Sequence, residues 1–352
     1  MKTNASIVYL WAEVTGYVFG VLEELVHHTT GTIDVVHWDK RTVNSTRFDI
    51  SHSAGIRFHG RTQISDIAIY DLLVQRQPAI IVVSGWMDKG YIAACKRYKR
   101  LQPKVKIVAG IDDQWTGSLR QRLGQVYYAI FYKWLFDFMW VAGQLQFSFA
   151  QRYGYGIESI ISNVYSADTR VFNVRAGFCK RFVFVGRFVS IKALDLLVDA
   201  YCMLPDEKQQ EWPLVLIGDG DQKERILSKQ NTNIKVLPFM QPEDLRAELL
   251  KGGVGCLTTH KDQWGVVIHE YALMGLPMLL SSGCGAATEF LISGYNGFMF
   301  KKGDVYSLYH ALELFTIYGD DDLKRFGDNS AQLGARINNQ ISAMSLLSVN
   351  YL

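Results

Sequence analysis

Short apolar runs that end in turns alternate with helix-period segments along the whole chain, and this alternation limits the fold more than any single residue does. SIVYLW is followed by TGYVFGVLEELVHHT, where Tyr17, Val18, Val21, Leu22 and Leu25 recur at helical spacing. TIDVVHWD, PAIIVVSGW (78–86) and KVKIVAG (104–110) read as further strands, with a helix over 88–101 and a polar, irregular loop with a short strand over 40–65. The second half repeats the pattern. RFVFVGR (181–187), WPLVLIGDG (212–220), NIKVLPF, GVGCLTT, PMLLSS and NGFMF are its strands, and IKALDLLVDAYCML and PEDLRAELL are two of its helices. Strands separated by helices imply βαβ units and parallel sheets. The aperiodic, polar stretch 165–180 divides the halves. The expected architecture is α/β, with two doubly wound parallel-sheet domains over 1–170 and 171–335. The last stretch, 336–352, reads as an amphipathic helix that packs back near the N-terminal domain.

A length of 352 residues suits two domains of about 150 residues each. The net charge of +3 is weak, and no concentrated basic stripe is present, which argues against nucleic-acid binding. Mild basicity suits anionic substrates or an anionic membrane face. Five cysteines, an odd number without a Cys-x-x-Cys pair, read as reduced, mostly buried thiols of a cytoplasmic protein. The eight histidines show no zinc spacing, so no metal is expected. MKTNASIVYLWAEV reads as a first strand rather than a leader, because Glu13 interrupts its short apolar stretch. The longest apolar segment, 126–143, is broken by Lys133 and Asp137 and falls short of a membrane span.

Ligands of open parallel sheets bind beyond the carboxyl ends of the strands. That rule gathers the loops after RFVFVGR, WPLVLIGDG and GVGCLTT. The first carries Arg187, a planar fork for phosphate oxygens, and Lys192, a mobile point charge. Gly186, Gly218 and Asp219, in the turns that end the first two strands, are further candidate ligand-binding positions. The third loop carries Asp262 and then Gly265, Val266 and Val267 at a helix start, where free N–H groups suit an anion. Two cations and a helix N-terminus around one crevice point to a diphosphate. Glu270 lies one turn into that helix among Val266, Val267, Ile268, Tyr271, Ala272 and Leu273. A carboxylate in such company must be paired or in use, and a vicinal diol such as a ribose is a fitting partner.

Two other motifs read as structure. Asp219-Gly220-Asp221 looks like a metal-binding Asp-x-Asp but follows an apolar strand in a regular βα array, so a turn with Asp221 as helix N-cap is simpler. Gly283-Cys284-Gly285 lacks the third glycine of a dinucleotide fingerprint.

With those residues in view, the second half resembles the retaining glycosyltransferase family 4, the "glycosyl transferases group 1". The resemblance runs through FVGRFVSIKALDLLVDAY, LVLIGDGDQKERI and DQWGVVIHEYALMGLPMLLSSGCGAATEFLISGYNGFMFKKGD, in that order over roughly 180–305. It implies the GT-B fold, two Rossmann-like domains facing a central cleft. It implies that Glu270 binds the ribose of a nucleotide-sugar and that Asp262 meets hydroxyls of the transferred sugar, with Arg187 and Lys192 on the diphosphate. The family's Glu-x7-Glu pair here begins with Asp262, one methylene shorter. The Gly-Gly pair of many relatives after the first strand is reduced to Gly16 in AEVTGY, the acceptor-side position.

The resulting expectation is a retaining, metal-independent glycosyltransferase of cell-surface polysaccharide synthesis. Its partners are a nucleotide-sugar donor and a glycan or lipid-linked acceptor. A sugar-nucleotide epimerase of the same architecture and a non-catalytic nucleotide-sugar-binding subunit are the alternatives. Residues 119–142 mix Arg120, Arg122 and Lys133 with many aromatics. They read either as a large buried helix or as a basic, aromatic surface that rests on the inner face of the membrane.

Overall fold

The computed structural model describes residues 6–39, 54–229 and 231–352. Part of the irregular stretch 40–65 therefore lies outside the described residues. The chain divides into two compact units, 1–166 with 337–352, and 167–336.

The first unit is built on a parallel sheet of seven strands: β1 (Ile7–Trp11), β2 (Ile33–His37), β3 (Ile56–Gly60), β4 (Ile80–Val83), β5 (Lys106–Ile111), β6 (Phe138–Val141) and β7 (Ile160–Ile161). Their order across the sheet is β3-β2-β1-β4-β5-β6-β7. β1, β4 and β6 are buried along their whole length, which is why they read as continuous apolar runs rather than alternating ones. The helix Gly16–His28 packs on the helix Asn339–Leu347, which belongs to this unit. The two approach so closely at Gly20 that an added Cβ would lie 2.2 Å from the Asn339 side chain.

The second unit has six parallel strands, β8 (Phe182–Val185), β9 (Leu214–Ile217), β10 (Ile234–Leu237), β11 (Val254–Leu257), β12 (Met278–Ser281) and β13 (Gly297–Phe300). Their order is β10-β9-β8-β11-β12-β13. The chain moves outward from β8 in one direction and then returns to β11 on its other side, so the switch point lies between β8 and β11. In open parallel sheets the ligand crevice lies beyond the strand ends at such a point, because the two connections leave in opposite directions. Tyr271 ties these two strands together. Its hydroxyl accepts from the Val185 N–H at 2.9 Å, and its ring lies where a Cβ at Gly255 would be, 2.5 Å away.

Residues 119–142 are not one buried helix. The helix is Leu119–Phe131, with Tyr128 its one buried residue, and the buried part is the separate strand β6. The two charges that interrupt the apolar run are both partnered. Lys133 lies over the Tyr155 ring at 3.4 Å, and Asp137 pairs with Lys99 at 2.8 Å. Of the five thiols, Cys95, Cys256 and Cys284 are buried, and Cys179 and Cys202 are exposed. No helix among the described residues is long and apolar enough to cross a membrane.

Candidate functional site

The loops after β8 and β11 are laced together by backbone and hydroxyl contacts. The His260 N–H donates to the Ile191 carbonyl at 2.9 Å. The Thr258 hydroxyl reaches the Lys192 and Ala193 carbonyls at 3.1 and 3.2 Å, and the Thr259 hydroxyl donates to the Ile191 carbonyl at 2.8 Å. Ala193 is held in the left-handed region, φ 49°, at the start of the helix Leu194–Cys202. A non-glycine residue there costs roughly 1–2 kcal/mol. The lacing sustains that strain and delivers the Lys192 ammonium to the Asp262 carboxylate, with which it forms an ion pair. Both side chains are about one-sixth exposed, 16% and 15%.

Asp262 is fixed from the other side by the segment that resembles a truncated dinucleotide motif. The Asp262 N–H donates to the Gly283 carbonyl at 2.9 Å, and the Gly285 N–H donates to the Asp262 carbonyl at 3.0 Å. Gly283 is obligatory in this clamp, because a Cβ there would meet the His260 carbonyl at 2.6 Å. The Cys284 thiol is buried, and burial together with the Asp262 carboxylate pushes its pKa up, so it is a neutral wall of the crevice.

Gly265 caps the helix Val266–Leu273 with φ 86°, and Val266 and Val267 are part-buried behind it. The helix stops in a Schellman arrangement. Gly275, φ 72°, donates to the Ala272 carbonyl and Leu276 donates to the Tyr271 carbonyl. Glu270 projects from the part-buried side of this helix, and its carboxylate has no hydrogen bond or ion pair among the described residues. Burial, reinforced by the negative charge of Asp168, pushes its pKa up to about 7. Its neighbour His269 is fully buried and has a different task. Nδ1 accepts from the Ala167 N–H at 2.8 Å and Nε2 contacts the Gly334 carbonyl at 3.0 Å, so the Nε2–H tautomer satisfies both. His269 also stacks on Phe290 with ring centroids 4.4 Å apart.

The turns after β8 and β9 meet at a glycine contact. A Cβ on Gly218 would lie 1.9 Å from the Gly186 carbonyl oxygen, and Gly218 has φ 149°. The Phe188 N–H donates to the Asp219 carbonyl at 2.8 Å, which holds Arg187 in the exposed bend between them. The Arg187 guanidinium has no partner among the described residues. Asp219 turns its carboxylate onto its own loop, accepting from the Gly220 N–H at 2.8 Å and lying 3.4 Å from the Lys223 ammonium. Asp221 does not cap the next helix, Lys223–Leu227, whose N-cap position is Gln222 with no side-chain cap. Gly218→Ala is expected to destabilise the protein by about 1–3 kcal/mol, because the clash is with backbone and no rotamer relieves it. A melting temperature equal to that of the parent protein would contradict this.

The structure thus joins Lys192 to Asp262 and Gly186 to Gly218, and places Arg187, Gly265 and Glu270 on the loops and helix that flank the β8/β11 switch point. Gly16 begins a helix of the other unit. Among the described residues no group of three or more His, Cys, Asp or Glu side chains is placed to hold a metal ion.

Comparison with known proteins bears on this arrangement. Residues 174–332 match the model of the family described as glycosyl transferases group 1. A curated relative, an uncharacterized glycosyltransferase of Methanocaldococcus jannaschii, is 25% identical over 171 residues, 47% of this chain and 46% of that protein. The chain therefore spans about half the length of the curated relative it matches. Solved structures align over nearly the whole chain. HepE of Anabaena, in complex with UDP and glucose, gives a TM-score of 0.72 at 13% identity, covering 98% of this chain and 100% of that one. Sucrose-phosphate synthase of Thermosynechococcus elongatus gives 0.75 at 13% identity, covering 98% of each. The lipopolysaccharide outer core galactosyltransferase WaaB gives 0.67 at 15% identity, covering 98% and 99%. At these identities the likeness is one of fold, and the fold is GT-B.

Within the second unit, three participants have no strong sequence signal. Asp168 lies in the aperiodic stretch between the halves, where it is buried and held by Arg170 at 2.6 and 2.8 Å. Its charge on Glu270 follows from chain crossing, not from local pattern. The Gly283–Gly285 clamp and the hydroxyls of Thr258 and Thr259 likewise act through contacts distant in sequence.

Proposed function

We propose that this chain is a retaining, metal-independent glycosyltransferase of family 4. It moves a sugar from a nucleoside-diphosphate-sugar to a glycan or lipid-linked glycan in cell-surface polysaccharide synthesis, at the inner face of the membrane. The observation that carries the reading is the set of charges at the β8/β11 switch point. A Lys192–Asp262 pair lies beside a helix N-terminus, and the Arg187 guanidinium and the Glu270 carboxylate are without partners among the described residues.

When the bond from the anomeric carbon to the diphosphate breaks, negative charge grows on the leaving oxygen. Lys192, Arg187 and the N–H groups at Val266 and Val267 are preorganised for that charge, so they stabilise the transition state more than the ground state. In this scheme the diphosphate competes with Asp262 for Lys192. Asp262 is thereby freed to accept from hydroxyls of the transferred sugar, and Glu270 accepts from the ribose diol. Retention follows from attack by the acceptor hydroxyl on the face that the diphosphate leaves, the C–O bond to the diphosphate breaking as the new one forms and the hydroxyl proton passing to the departing diphosphate oxygen. Asp219 and Gly218 line the turn beside the nucleotide.

The test is thermal stabilisation by a panel of nucleoside diphosphates and nucleotide-sugars, with and without EDTA. HepE, alike in fold, was crystallised with UDP and with UDP-glucose, so uridine donors head the panel. A ligand at about 100 times its Kd should stabilise by roughly 2.7 kcal/mol, unchanged by EDTA. No shift with any member sinks the donor site, and a shift that EDTA abolishes sinks metal independence.

A further inference from the structure

The helix Leu119–Phe131 is packed with its apolar side outward. Leu119, Leu123, Val126, Tyr127, Ile130 and Phe131 are 46–72% exposed and recur at spacings of three and four, so they form one continuous stripe. Trp134 extends it, 48% exposed. An ordinary surface helix turns such a stripe to the core. This one turns its glutamines inward and fixes them. The Gln121 side chain donates to the Gln114 carbonyl at 2.7 Å and accepts from the Thr116 N–H at 2.7 Å, and Gln125 donates to the Arg152 carbonyl. Tyr128, on the same inner side, bonds to the Tyr155 hydroxyl at 2.6 Å and packs on Trp86 with centroids 4.6 Å apart. The outward presentation is therefore built into the fold by contacts on the inner side.

The charges on the helix itself are both positive, Arg120 and Arg122, while Asp112, Asp113 and Asp137 bound the segment on either side. Residues 114–136 contain Arg120, Arg122 and Lys133 and no Asp or Glu. Lys96 adds a cation from the adjoining helix, 4.8 Å from the Tyr132 ring and 5.8 Å from that of Trp134. A second copy of the chain docked through this face would bring two sets of cations together. An anionic bilayer complements both features, since it takes apolar side chains into its acyl boundary and pairs its headgroups with the flanking cations. Tyr127 and Trp134 have the amphipathic rings that suit the headgroup level.

The geometry points to this helix as a preformed interfacial anchor that lies in the plane of an anionic lipid surface without crossing it. The inference deepens the membrane-side reading above, while the anchor itself rests on the exposed stripe and its charge and not on the donor chemistry. The helix, about 20 Å long, would rest parallel to the surface with its apolar side roughly 5–10 Å deep. The acceptor it implies is one presented at such a surface.

The experiment is co-sedimentation of the full chain with phosphatidylethanolamine/phosphatidylglycerol vesicles and with phosphatidylcholine vesicles at low salt, alongside light scattering and the nucleotide thermal shift. The expected result is pelleting with the anionic vesicles only. Leu123→Glu/Ile130→Glu should remain in the supernatant with native circular dichroism and an unchanged nucleotide shift. Arg120→Gln/Arg122→Gln should weaken binding by about fivefold per cation removed. A parent protein that stays in solution overturns the anchor. So does pelleting that Leu123→Glu/Ile130→Glu leaves intact, or a parent dimer that this variant converts to a monomer. Vesicle binding without any nucleotide shift would overturn the donor reading alone.

Discussion

Lys192→Ala is expected to lower sugar transfer by about 100- to 1000-fold in kcat, the usual cost of losing one preorganised group aimed at developing charge. The side chain is held at Asp262 before any donor arrives, by the Thr258, Thr259 and His260 contacts that shape its loop. Little reorganisation is then needed at the moment of bond cleavage. Because the leaving oxygen gains charge in the transition state, kcat should fall more than KM rises. Lys192→Arg keeps the charge but replaces a compact ammonium with a planar fork, so partial activity is expected. The control is circular dichroism and a thermal melt. Wild-type turnover by a folded Lys192→Ala protein would remove this residue from the mechanism.

The second large effect is expected at Glu270. Glu270→Ala should lose most of the transfer activity, and Glu270→Gln should separate charge from shape. In the folded protein the carboxyl titrates near pH 7, above the usual carboxylate value near 4.5. Between about pH 4.5 and 7 the folded form keeps a proton that the unfolded form has released. Stability must therefore fall as pH rises through that window and level off above it. Some contact with water remains, so the expected fall is on the order of 2 kcal/mol. Glu270→Gln should melt with little of this pH dependence and should be the more stable protein at about pH 8. A donor whose ribose hydroxyls donate to the carboxylate favours its ionised form, so the nucleotide shift should grow from about pH 6 to 8 in the parent and stay flat in Glu270→Gln. Parallel melting curves for the two proteins across this range would refute the assignment of the titrating group.

The parts of this molecule that were legible in its sequence are those where burial is continuous. β8, β9, β11 and β12 are buried on both faces, and their apolar runs end at turns that carry candidate site residues, such as Arg187 and Gly218. Glu270 stood out because a carboxylate inside an apolar helix has a desolvation cost that must be met. β6 was hidden because FMWV continues the apolar, aromatic run of the helix before it, and local composition does not distinguish the two. The helix Asp66–Arg76 has a Ser65 cap and three buried apolar positions, Ile69, Leu72 and Leu73, too few to stand out after the polar stretch that precedes it. The ion pair between Lys192 and Asp262 spans seventy positions, and the influence of Asp168 on Glu270 spans about a hundred. Contacts of that range are made by topology and have no periodicity to read.

The helix Asn339–Leu347 belongs to the first unit, although the whole of the second unit precedes it in the chain. The second unit is thus one uninterrupted stretch of polypeptide, inserted into a first unit made of two pieces. During synthesis the inserted unit has all its residues available while the helix Gly16–His28 still waits for the surface that covers it. The host unit closes a loop of more than three hundred residues to gain that cover, at an entropic cost that grows only slowly with length. Its final packing step is accordingly late and long-range, the kind that folds slowly and benefits from protection until it is complete.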